Sequence, residues 1–106
     1  MIISDKLGIK DQVIDQLKQV YDPEIPVDIY ELGLVYELYT DTPGIVKIIM
    51  TLTAPACPAA DQILRDVQAK VSEIPGVNEA RVEISFDPPW DREMMSEEAK
   101  LELGFL

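Results

Sequence analysis

A change of hydrophobic period along residues 45–86 does most to limit what this chain can fold into. Over 45–53, Val46, Ile48, Met50 and Leu52 fall on one face of an extended run, and Ile45, Lys47, Ile49, Thr51 and Thr53 fall on the other. Apolar residues on both faces predict a central or well-covered strand. Ala60, Ile63, Leu64, Val67 and Val71 then recur at helical spacing. Asp61 in the first turn suits the positive end of the helix dipole. Ile74-Pro75-Gly76 interrupts the helix, and over 77–86 the inward Val82, Ile84 and Phe86 alternate with Arg81, Glu83 and Ser85. A strand, a helix and a strand in one sheet call for a right-handed crossover, so the third strand should run parallel to the second.

The flanking segments extend this unit. Ile9, Val13, Ile14, Leu17 and Val20 form a helical stripe within residues 8–21, which Asp22-Pro23 ends by pushing the chain out of the α region. Residues 22–33 hold two prolines, four carboxylates and a glycine, and read as an ordered loop with at most one helical turn. Leu34–Thr40 is a strand, and Asp41-Thr42-Pro43-Gly44 is the turn that folds it back as an antiparallel hairpin. Asp87-Pro88-Pro89-Trp90 stops the last strand, and Ser96-Glu97-Glu98 starts a final helix that Gly104 closes. Trp90 is expected as a lid on the core because its apolar area drives burial, with Met94 and Met95 filling gaps beneath that segment. The sum is α–β–β–α–β–α, an α+β two-layer domain with a small mixed sheet and helices packed on it. No repeat, low-complexity tract or linker divides residues 1–106, so one domain is expected.

Composition excludes several functions. The chain carries 20 acidic and 9 basic residues, a formal charge of −11. Phosphate-directed binding of nucleic acid needs clustered lysine and arginine, and anionic membranes would repel such a surface. Protein partners with basic patches fit better. No run approaches the roughly 20 apolar residues of a membrane span, and no signal peptide is visible. There is no histidine, which removes a Cys-His dyad and the commonest metal ligand. The single cysteine allows no intrachain disulfide, and a free thiol points to the cytoplasm.

That cysteine is the main candidate for chemistry. Cys57 lies where the strand pattern gives way to the helix pattern, between Pro55 and Pro58. With Pro58 as the first helical residue, Cys57 falls at the N-cap. Unpaired amides and the helix dipole would there stabilise a thiolate and lower its pKa below the usual value of about 8.5. The competing reading is a buried structural thiol. One cysteine cannot hold an iron–sulfur cluster, which takes four protein thiolates, nor close a structural zinc site. A CxxC pair is absent. A transient ligand, a ligand shared in a dimer, a persulfide or mixed-disulfide carrier and a redox sensor all remain open.

Other candidates have plainer alternatives. Asp22, Glu24, Asp28 and Glu31 are a solvated loop or a set of oxygen ligands, and their spacing is no EF-hand. Thr51 and Thr53 share a face leading toward Cys57, as two hydroxyls aimed at the thiol or as ordinary strand formers.

In order and spacing, several pieces resemble the MIP18 family, also called DUF59, with its SufT-like bacterial members. They are Asp22-Pro23-Glu24, Asp28-Ile29 leading to Leu32-Gly33-Leu34-Val35, Met50-Thr51-Leu52-Thr53 through Cys57-Pro58, Ile74-Pro75-Gly76-Val77, and Asp87-Pro88-Pro89-Trp90 before Met95-Ser96. The resemblance covers nearly the whole chain. It implies an iron–sulfur cluster assembly domain-like fold and a role in maturing iron–sulfur proteins, as an assembly or targeting factor rather than a turnover enzyme. It implies a reactive thiol at Cys57, a transient metal ligand, with Asp22, Glu24, Thr51 and Thr53 around it. It further implies no tightly bound cofactor, only transient iron or iron–sulfur cluster, and partners among the assembly machinery and apo client proteins. A homodimer would let two copies of Cys57 share a metal. PaaD-like relatives, which serve assembly of an oxygenase, carry an extra cysteine-rich C-terminal segment not seen here. The alternatives are a thiol redox protein needing a second thiol from elsewhere, and a non-catalytic adaptor binding through its acidic surface and Trp90.

Overall fold

A computed structural model describes residues 1–23, 25–54 and 58–105. The elements in chain order are β1 (Ile2–Ser4), α1 (Lys10–Leu17), β2 (Val35–Thr42), β3 (Ile45–Met50), α2 (Ala60–Ser72), β4 (Glu79–Ile84), a 3-10 turn (Arg92–Met94) and α3 (Glu97–Glu102). The strands form one sheet in the order β1-β2-β3-β4. β2 and β3 are antiparallel, whereas β1–β2 and β3–β4 are parallel. The α+β reading, the hairpin and the parallel third strand of the sequence pattern all hold.

The pattern of β3 explains its central place. Val46, Ile48 and Met50 are fully buried, and they sit against Leu38 of β2 and the α2 residues Ile63, Val67 and Val71 in one core. Val13 and Leu17 of α1 belong to the same core, and the Gln16 amide donates to the Lys70 carbonyl at 2.6 Å, which ties α1 to the end of α2. Ala80 is the buried residue of β4, with Val82 and Ile84 half-buried beside it. Phe86, expected on that inner face, is 40% exposed because the strand ends at Ile84 and the chain has turned away.

β1 had no sequence signal. Its side chains are largely exposed, and polar bonds hold it to β2. The Ser4 hydroxyl donates to Asp41 at 2.6 Å, the Lys6 amide donates to the same carboxylate at 2.9 Å, and the Thr40 hydroxyl donates to Asp5. These hydroxyl and amide donors hold both carboxyls below the usual carboxylate range, chiefly Thr40 for Asp5 and Ser4 for Asp41.

The hairpin turn is tighter than expected. β2 runs through Thr42, so Pro43 and Gly44 alone make the reversal, and Gly44 takes a φ of +79° that favours glycine. The final helix follows its sequence signals. The Ser96 hydroxyl accepts from the Ala99 amide at 3.1 Å, and Glu97 and Glu98 occupy the first turn.

Candidate functional site

Topology brings the described candidates Asp22, Thr51 and Thr53 to one end of the sheet. β3 and β4 are parallel and β2 is antiparallel to them. The start of β2 therefore lies beside the ends of β3 and β4. α2 connects the end of β3 to the start of β4, so its N-terminus belongs to the same end. Crevices outside the carboxyl ends of parallel strands are a common place for ligands in α/β sheets.

Backbone bonds carry this end from one loop to the next. Ile29 N–H donates to the Val20 carbonyl at 2.8 Å, Leu34 N–H to Ile29 at 3.1 Å, and Thr51 N–H to Leu34 at 2.7 Å. Ser85 N–H donates to Met50 at 2.8 Å. An isolated antiparallel bridge between Tyr21 and Asp28 closes the intervening loop. Asp22 and Thr51 are thereby placed at the same end of the molecule. Cys57 and Glu24 themselves lie outside the described residues.

Thr51 is the most unusual of the described candidates. It is fully buried, and its hydroxyl oxygen has no hydrogen-bond partner among the described residues. An unsatisfied buried hydroxyl is costly and therefore rare. β3 ends at Met50, so Thr51 and Thr53 lie just beyond the strand rather than on its face as expected. Regular ladder pairing stops here, with β2 beginning at Val35 and β4 ending at Ile84, although the Thr51 amide still donates to Leu34. Thr53 is half-buried.

The expected N-cap position of Cys57 needs correction. α2 begins at Ala60, with Ala59 at its N-cap and no side-chain cap bond. Pro58 and Ala59 form a turn ahead of the helix, so Pro58 is not its first residue. The first α2 bond to the cap runs from the Ile63 amide to the Ala59 carbonyl at 3.0 Å. The cap position belongs to Ala59, and Cys57 lies outside the described residues.

The carboxylates divide by environment. Asp22 is 5% exposed, and its carbonyl accepts from the Ile25 amide at 3.1 Å. Asp28 accepts from the Glu31 amide at 3.0 Å, and burial nevertheless pushes its carboxyl above the usual range. Glu31 pairs with Lys18 at 3.8 Å. Among the described residues, no cluster of three or more His, Cys, Asp or Glu side chains is arranged to hold a metal ion.

A wall whose polar bonds the sequence did not reveal supports this end. Trp90 Nε1 donates to the Leu32 carbonyl at 2.7 Å, and Ser96 N–H donates to Glu31 at 2.9 Å. The Tyr36 hydroxyl meets the Pro88 carbonyl at 2.9 Å and the Met94 sulfur at 3.4 Å. Gly33 has a φ of +79°, and a Cβ there would come within 2.2 Å of the Met94 carbonyl oxygen. Only glycine allows so close an approach. Its place between Leu32 and Leu34 was the one available hint. Trp90 packs on the core as a partly buried lid, and Met95 is buried beneath that segment.

Comparison with known proteins gives the arrangement a context. The family described as iron–sulfur cluster assembly protein matches residues 10–84. A protein of Porphyromonas gingivalis named Fe-S protein maturation auxiliary factor is 50% identical over 100 residues, covering 94% of this chain and 95% of that one. The Staphylococcus aureus protein named Fe-S protein maturation auxiliary factor SufT is 44% identical over 85 residues, covering 80% and 97%. The crystal structure of a DUF59 domain from Bacillus anthracis superposes with a TM-score of 0.87 at 41% identity, over 93% of this chain and 94% of that one. The α+β fold, the ordered segments read from the sequence and these likenesses agree, and the chain belongs to the iron–sulfur cluster assembly protein family.

Proposed function

We propose that this chain, as one domain spanning residues 1–106, is an iron–sulfur protein maturation factor that assists cluster assembly or transfer to client proteins through Cys57. The observation that supports this most is the buried, unpartnered Thr51 hydroxyl just past the end of β3, on the sequence stretch that leads to Cys57. A fold leaves a polar group unpaired at an expense of about 1–3 kcal/mol, so each such group calls for an explanation, and a ligand that completes it is one.

In this reading Cys57 supplies a thiolate as a transient ligand or carrier. Thr51 and Thr53 shape its surroundings. Asp22 and Glu24 hold the neighbouring loop or add weak oxygen ligation. Iron or a cluster is cargo, since one thiolate is too few to keep a cluster that takes four. The remaining ligands come from a client, a second copy of the chain or a small thiol. Similarity to proteins named auxiliary factors favours assistance over turnover, with assembly proteins and apo clients of the cytoplasm as partners. Among the described residues, no helix is long and apolar enough to cross a membrane.

The test is a chromosomal Cys57→Ser replacement followed by assays of several iron–sulfur enzymes. Reduced activities at an unchanged level of the variant protein are expected. Normal activities at that level reject a role for the thiol.

A further inference from the structure

Two hollows border the loop of residues 25–31 and adjoin at Pro26, which lines both. One is an apolar groove of about 400 Å³ formed by Ile25, Leu32, Trp90, Met95, Leu103 and Phe105. The other is a cleft of about 650 Å³ along α3, bordered by Asp28, Glu31, Glu98 and Glu102. Tyr21 and Leu101 stand at that cleft, 51% and 64% exposed. Large exposed apolar side chains beside a groove mark interaction surfaces rather than plain solvated faces.

The charges select the occupant. Among the described residues, no lysine or arginine lies within ion-pair distance of Asp28, Glu98 or Glu102, and Glu31 alone of the four has Lys18 at 3.8 Å. Arg92, which lines the apolar groove, is stacked on the Phe105 ring at 4.6 Å. A second copy of this chain, with a net charge of −11, would bring like charge to the cleft. Nucleic acid and anionic membranes are excluded in the same way.

We propose that this composite groove docks a basic segment of a partner protein, with one aromatic or large aliphatic side chain seated beside Trp90 and adjacent lysines or arginines along the α3 carboxylates. The apolar anchor supplies affinity, and the charges supply orientation and rate of encounter. Burial of Asp28 adds to the attraction, since its carboxylate has already lost part of its hydration. The docking surface is independent of the thiol.

Trp90 is the only tryptophan and reports on the groove directly. The probe is an amidated peptide with one phenylalanine followed by four lysines, titrated against the full chain while Trp90 emission is followed. The expected result is a saturable change that weakens as salt is raised from roughly 0.05 M to 0.5 M. Exchanging the peptide phenylalanine for serine should abolish it. The Glu98→Gln, Glu102→Gln double variant should bind roughly fivefold more weakly or worse. The control variant Asp11→Asn, Asp15→Asn, on exposed positions of α1, should bind as the unaltered protein does. Cys57→Ser should also leave affinity unchanged, which separates this site from the maturation chemistry. Absence of a saturable change overturns the proposal. So does equal binding of the serine peptide, or equal weakening by the α1 and α3 variants, since either would reduce the attraction to net charge.

Discussion

Replacing Thr51 by valine asks whether its hydroxyl is a structural member or a group left for a ligand. The residue is fully buried, its amide bond to Leu34 involves backbone only, and its hydroxyl has no partner among the described residues. Valine keeps the branched shape and puts a methyl where the oxygen was. Burying an unpaired hydroxyl costs about 1–3 kcal/mol on the protein mutational scale. Removing that cost should raise the unfolding free energy by a similar amount, and each kcal/mol corresponds to about 4–8 °C in Tm for a domain approaching this size. Most substitutions destabilise, so a gain from a core change is a discriminating result. Calorimetry and urea unfolding measure it. The same variant should mature iron–sulfur enzymes poorly, a trade of stability against function. Destabilisation by 1 kcal/mol or more, on the order of a lost hydrogen bond, would mean that the hydroxyl is already engaged. Stabilisation with full maturation activity would mean that it serves nothing.

Gly33→Ala should displace the Met94 carbonyl and loosen the Trp90–Leu32 bond, because the added Cβ would sit 2.2 Å from that oxygen at a φ of +79°. A red-shifted Trp90 emission together with lower stability is expected, and unchanged emission would show that the wall does not depend on this contact. Asp41→Asn should alter the acid limb of stability. Asp5 and Asp41 are held below their ordinary value of 3.8, so their contribution is present above that pH and is lost as pH falls through the lowered pKa. Removing one titrating carboxyl should make the loss of stability on acidification shallower, and an acid limb identical to that of the unaltered protein would contradict the role given to the Ser4 and Lys6 bonds.

Regular periodicity carried the sheet and the long helix. Val46, Ile48 and Met50 repeat at strand spacing, Ile63, Val67 and Val71 at helical spacing, and each repeat is buried as a unit. β1 escaped notice because Ile2–Ser4 is too short to show a period and pairs with Glu37–Tyr39 far along the chain. α2 starts later than its proline signal predicts, because the preference of proline for a first helical position is a local bias, and the chain instead uses Pro58 and Ala59 to turn. Thr51 was legible as a candidate by its position alone. Its missing partner depends on the three-dimensional packing around it, which no local pattern records. The burial of Trp90 followed from its size, whereas its bond to Leu32 and the adjoining groove depend on how α3 packs on the loop of residues 25–31.

The central claim is that Cys57 takes part in delivering a cluster, and an anaerobic reconstitution tests it most directly. Purified protein, iron and sulfide are mixed with an apo iron–sulfur enzyme, and the recovery of enzyme activity is followed alongside visible absorbance. The chain should accelerate recovery, and Cys57→Ser should reduce the rate to that of iron and sulfide alone. Equal acceleration by the serine variant would contradict the claim.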